Sequence, residues 1–137
     1  MRLVLDAEAV SALVVPSHRA RPRVATAVAA AYRADAELAV PAVALADACA
    51  SSASGRAVAE LLSTAELEGI RWRDTDLAFA RLVGIILAHA DAGSQLLVAA
   101  HLVATALEGG GGVILTAQPT AVSALGAPYP GLAVEAI

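Results

Sequence analysis

Lysine is absent from this 137-residue chain, and all nine cationic side chains are arginine. Thirteen acids leave a formal charge of -4. Bulk electrostatics therefore do not recruit nucleic acid, and any such contact needs a local basic patch. A lone Cys49 permits no internal disulfide, which agrees with a reducing, cytoplasmic setting. Long apolar runs are missing too, although 58% of the residues are hydrophobic. Charges or breakers interrupt every run before the roughly 20 residues of a membrane-spanning helix. Asp6 and Glu8 fall where a signal peptide would continue its apolar core, so secretion is not expected. No internal repeat is evident, and the length suits one domain over residues 1–137. Much of the apolar excess is alanine, so large core residues are scarce and some apolar surface is expected to face a partner.

What is present reads as alternating strands and helices. Arg2 to Leu5 is a short apolar run ending at Asp6, as in a strand covered on both faces. Asp6 either caps the next helix or sits as a ligand at the carboxyl end of a parallel strand. A helix to about Val15 stops at Pro16, and Ser17 to Arg23 forms a basic loop. Arg19, Arg21 and Arg23 could hold phosphates there, because the guanidinium fork matches phosphate oxygens; a solvated loop is the plainer reading. A helix follows to about Arg33, then a strand at Glu37–Val40, then a helix from Ala42 to about Ala50. Asp47 lies within that apolar helix, where aspartate is a poor former, so a solvated stripe or a ligand role is expected of it.

A further helix is expected from Arg56 to about Leu67 and an edge strand at Gly69–Arg73. Asp74-Thr75-Asp76 offers caps for an amphipathic helix through Phe79, Val83 and Ile86. Ser94 to Leu107 reads as a largely buried helix, Gly109–Gly112 as a flexible exit, and Val113–Thr116 as another buried strand. A short helix from Pro119 to about Leu125 and an edge strand at Leu132–Val134 close the chain. Strands separated by helices imply βαβ units and a mainly parallel sheet.

Common chemical motifs are excluded in turn. The glycines at 109–112 follow a helix and precede a strand, the reverse of a phosphate-binding loop. His18, His89 and His101 show no zinc spacing. His101 is expected as a hydrogen-bonded interior or rim residue, and no serine has a nucleophile-elbow pattern around it.

The order of Asp6, the Val40-Pro41-Ala42-Val43-Ala44-Leu45-Ala46-Asp47 segment, the Val98–Ala106 helix and Val113-Ile114-Leu115-Thr116-Ala117-Gln118-Pro119 resembles a PIN domain. The resemblance is greatest to the VapC-type toxins of bacterial toxin–antitoxin pairs. It implies a three-layer α/β/α sandwich with a mainly parallel sheet of four to five strands. It also implies Mg²⁺- or Mn²⁺-dependent ribonuclease activity, homodimers and an antitoxin that covers the site. Oxygen ligands would hold the cation. Asp6 matches the family's first acidic position, and Asp47 stands where glutamate is usual. The other two acidic positions carry Ala99 and Gln118, and a further one nearby falls at Thr120 or Ala121. Thr116 and His101 would form the site's rim.

Two carboxylates could hold one ion weakly, and Asp91 or Glu108 is about two turns of helix from Ala99, too far to substitute. The expectation is a PIN-like protein with an impaired nuclease site that binds a protein or RNA. The alternatives are a working ribonuclease with an atypical third ligand beside Asp6 and Asp47, and an unrelated small-ligand binder on a doubly wound sheet.

Overall fold

The computed structural model describes residues 1–51, 55–62 and 69–137. Five strands, β1 (Arg2–Leu5), β2 (Glu37–Pro41), β3 (Ile70–Arg73), β4 (Gly112–Thr116) and β5 (Leu132–Ala136), form one sheet in the order β3-β2-β1-β4-β5. Every pairing is parallel. Parallel neighbours need crossovers, and the helices supply them. These are α1 (Ala7–Val14), α2 (Arg21–Arg33), α3 (Ala42–Ala50), α4 (Gly55–Leu62), α5 (Leu77–His89), α6 (Leu97–Glu108) and α7 (Pro119–Gly126). α1 packs with α2, α3 and α4, whereas α6 packs with α5 and α7. The chain moves from β1 to β2 and β3 in one direction, and from β3 back past β1 to β4 and β5. Right-handed crossovers in opposite directions must lie on opposite faces, which makes the three layers.

β1 is buried along its whole length, because helices cover it on both sides. α6 buries every residue from Ala99 to Ala106, so it forms the centre of one layer. Its Leu102 and Val103 pack with Phe79, Val83 and Ile86 of α5 in a single core. The helix expected from Ser94 begins instead as one 3-10 turn, Ser94–Leu96, since no side chain caps the following α-helix. The expected helix from Arg56 is seen to Leu62, and its remainder lies outside the described residues. No described helix is long and apolar enough to cross a membrane.

The glycine run is not slack. Gly110, Gly111 and Gly112 take φ values of 78°, 103° and 155°. A Cβ at Gly112 would meet the Arg2 carbonyl oxygen at 2.0 Å, and one at Gly111 would meet that of Gly131 at 2.6 Å. Glycine is required because β4 enters the sheet hard against its neighbours.

Candidate functional site

β1 ends at Leu5, and Asp6 takes an extended conformation that stops the strand and caps α1. Its Oδ1 accepts the Ala9 N–H at 2.8 Å, the bond that a capping aspartate makes. Its Oδ2 accepts the Ala117 N–H at 2.7 Å. That second bond joins the end of β1 to the chain leaving β4, at the switch point where crossovers diverge. Asp6 is only 6% exposed, and the two amides offset the cost of burying its charge. Thr116, which is 1% exposed, accepts the Gln118 N–H on its hydroxyl at 2.9 Å and so shapes the turn into α7.

Above this junction lies a cavity of about 130 Å³ lined by Asp6, Asp47, Gln95, Ala99, Thr116 and Gln118, with apolar walls from Val98, Leu102 and Val122. Asp6, Asp47, Ala99 and Gln118, four of the positions that the PIN resemblance assigns to acids, therefore share one space, whereas Thr120 and Ala121 do not line it. α3 carries Asp47 to it because α3 also touches α6, which carries Ala99. Asp47 is exposed and has no hydrogen bond or ion pair among the described residues. At about 30 Å³ per water, the space holds roughly four waters, or a small polar head group.

A resident divalent cation does not fit these donors. Mg²⁺ wants near-octahedral oxygens at about 2.0–2.1 Å. Among the described residues no group of three or more His, Cys, Asp or Glu is placed to hold a metal ion. Both oxygens of Asp6 already accept an amide. Ala99 offers no donor, and Gln118 could offer only a neutral carbonyl. Glu108 faces elsewhere, with Arg73 donating to both its oxygens at 2.6 and 2.8 Å. Asp91 sits in the turn after α5 with φ 49° and does not line the cavity.

Two expected contributors lie elsewhere. His101 takes the hydrogen-bonded interior place of its two expected ones and not the rim: it is 5% exposed, its Nδ1 lies 2.7 Å from the Leu97 carbonyl, and its Nε2 lies 3.1 Å from Thr75 Oγ1. The site lies near the start of α6, where Ala99 faces it, and two further residues turn His101 to the α5 side against Phe79. None of the three loop arginines lines the cavity. Arg21 donates to the Leu13 carbonyl at 2.9 Å, Arg19 is exposed, and Arg23 lines a separate groove of about 690 Å³ with Leu3, Ala27 and Val113.

Glu8 escaped the sequence reading. It shares a second cleft, about 280 Å³, with Ala7, Asp47 and Ser51 beside the first cavity. The Ala20 N–H donates to His18 Nδ1 at 3.1 Å, so the proton of the neutral ring sits on Nε2, which donates to Glu8 Oε1 at 3.0 Å. This contact ties the basic loop to the rim of the cleft. Its only sequence signal was an acid in the first turn of a helix, which helix polarity explains by itself.

No protein-family model matches the sequence, and no curated protein matches it. Among solved structures, the chain resembles one titled as the crystal structure of VapBC2 from Rickettsia felis bound to a DNA fragment from their promoter. The TM-score is 0.64 at 14% identity, over 100% of this chain and 99% of the other. At that identity the likeness is one of fold: the chain has the PIN-like, VapC-like α/β/α architecture, with five parallel strands.

Proposed function

We propose that this chain is a VapC-like protein of the PIN type whose nuclease site has lost its metal-holding acids, and that it acts by binding. The observation that carries the reading is the single cavity shared by Asp6, Asp47, Ala99 and Gln118. Two carboxylates remain, and one of them, Asp6, is a structural staple. Neutral groups at positions 99 and 118 lower the repulsion that a phosphodiester would meet, so RNA can approach without being cut.

Charge along the chain supports a polyanion or an acidic partner. Arg19, Arg21, Arg23 and Arg33 all lie between Glu8 and Asp35, and no Asp or Glu occurs in that stretch. With Arg21 committed to Leu13, Arg19 and Arg23 are the side chains offered to phosphates. The likeness to VapBC2 supports an antitoxin-like protein partner. Exposed Leu77, Ile85 and Leu97 support a homodimer, to be checked by sedimentation equilibrium. We place the protein in the cytoplasm, where the exposed Cys49 stays reduced.

Calorimetry with Mn²⁺ tests the reading. The natural chain should give no saturable binding at micromolar ion. Ala99→Asp combined with Gln118→Asp should create it, because four carboxylates would then face one cavity. Tight binding by the natural chain, or no gain in the double variant, would overturn the proposal. The second reading, a working ribonuclease, draws on Asp47, which lines the cavity and has no bonded partner among the described residues. Mn²⁺-dependent cleavage of structured RNA that is lost in Asp47→Asn would favour it.

A further inference from the structure

A hydroxyl and an imidazole outside the Asp6 cavity have the geometry of an activated nucleophile. Thr75 lies in the exposed turn between β3 and α5. Its Oγ1 is 3.1 Å from Nε2 of His101. The other ring nitrogen, Nδ1, is 2.7 Å from the Leu97 carbonyl oxygen. A carbonyl can only accept, so Nδ1 carries the proton, and in the neutral ring Nε2 is left with a lone pair aimed at the threonine hydroxyl. Burial of His101 to 5% exposure and its edge contact with Phe79, at 5.5 Å between ring centroids, hold the imidazole in that orientation. Nucleophile, base and the group that orients the base are therefore all in place, with only the nucleophile exposed.

We propose that Thr75 and His101 form an acylation site that takes an acyl group from an activated ester. As the Thr75 oxygen attacks the ester carbonyl, its proton passes to His101 Nε2 and a new oxygen–carbon bond forms. The bond from the acyl carbon to the leaving oxygen then breaks, and the proton moves from Nε2 to that oxygen. The products are O-acyl-threonine and an alcohol, with no outside oxidant, reductant or metal. Asp74 and Asp76 flank Thr75 in sequence, and Asp76 is paired with Arg73. Those carboxylates also give no help to a tetrahedral oxyanion. The site is therefore built for one slow acyl transfer per chain.

The absence of lysine makes the test clean, because the main competing acceptors are Cys49 and the amino terminus. The full-length Cys49→Ser protein is incubated with p-nitrophenyl acetate, and acetyl groups are located by peptide mass spectrometry. Acetyl-Thr75 should accumulate at least about tenfold faster than in the same protein carrying His101→Asn, following typical base-catalytic effects. Asparagine keeps an N–H for the Leu97 carbonyl and removes the base. Thr75→Ser should retain the rate. A folded parent that carries no acetyl on Thr75, or an equal rate in His101→Asn, overturns the proposal.

Discussion

Asp6 carries three duties on two oxygens: it ends β1, caps α1 and holds the exit of β4. Asp6→Asn keeps one acceptor and turns an N–H toward a second N–H, whichever way the amide lies. A buried donor is then left without a partner. A loss of about 1–3 kcal/mol is expected in urea unfolding, with the midpoint lowered and the slope unchanged. Asp47→Asn, by contrast, should leave stability within about 0.5 kcal/mol, because Asp47 is exposed and unbonded among the described residues. A large loss in Asp47→Asn would mean that it has a structural partner, contrary to the site drawn above. The identity of the candidate residues was readable from the chain: an acid after an apolar strand, and an acid misplaced in an apolar helix. The bonds to Ala117 and between Glu8 and His18 were not readable. The first joins residues 111 apart, and the second joins a helix to the loop after it, where no helix or strand spacing rule applies.

The elements follow from their own residues more closely than the contacts between them. β1, β2 and β4 are short apolar runs bounded by Asp6, Pro41 and the turn after Thr116, and each forms within one residue of its expected place. The end strand Leu132–Ala136 extends two residues beyond its apolar stretch because it pairs along β4 up to Ala136. The glycine run was open to a wrong reading, since glycine marks both a loose linker and a forced approach. Sheet register makes it the second, with Gly112 seated against Arg2. Gly112→Ala should cost about 3 kcal/mol in thermal or urea unfolding, since its Cβ meets backbone and φ is 155°. Gly84→Ala, on the open face of α5, should instead raise stability by up to about 1 kcal/mol. Equal effects at the two positions would contradict the assigned register.

Across the molecule, arginines and acids link distant elements on the β3 side. Arg71 and Arg2 both bind Glu37; Arg73 binds Glu108 and Asp76 and lies 4.2 Å above the Phe79 ring. Bonding to Arg2 holds the Glu37 carboxyl below its usual 4.5, and bonding to Arg73 does the same for Glu108. The Phe79 N–H, aided by Arg73, lowers Asp76. A carboxyl more acidic when folded than when unfolded stabilises the fold above its unfolded value. That stabilisation is lost as pH falls through the folded value. Stability should therefore hold down to about pH 4.5 and decline below it, with solvent screening keeping each surface pair small. Chemical denaturation across that range checks this, and Arg2→Met should flatten the acid limb by releasing Glu37.

Strand and helix order, the parallel sheet and the positions of Asp6 and Asp47 at or near element ends follow from the chain read alone, because hydrophobic period and turn chemistry act over a few residues. Whether Asp6 capped a helix or faced a crevice could not be settled locally, and folding makes it cap α1 while lining the cavity. Folding also put Ala99 and Gln118 in one cavity with Asp6, sent His101 to Thr75 and set Arg23 in a separate groove. Those outcomes depend on which crossover covers which face and on how far each helix has rotated. Both are set by packing among residues far apart in the chain.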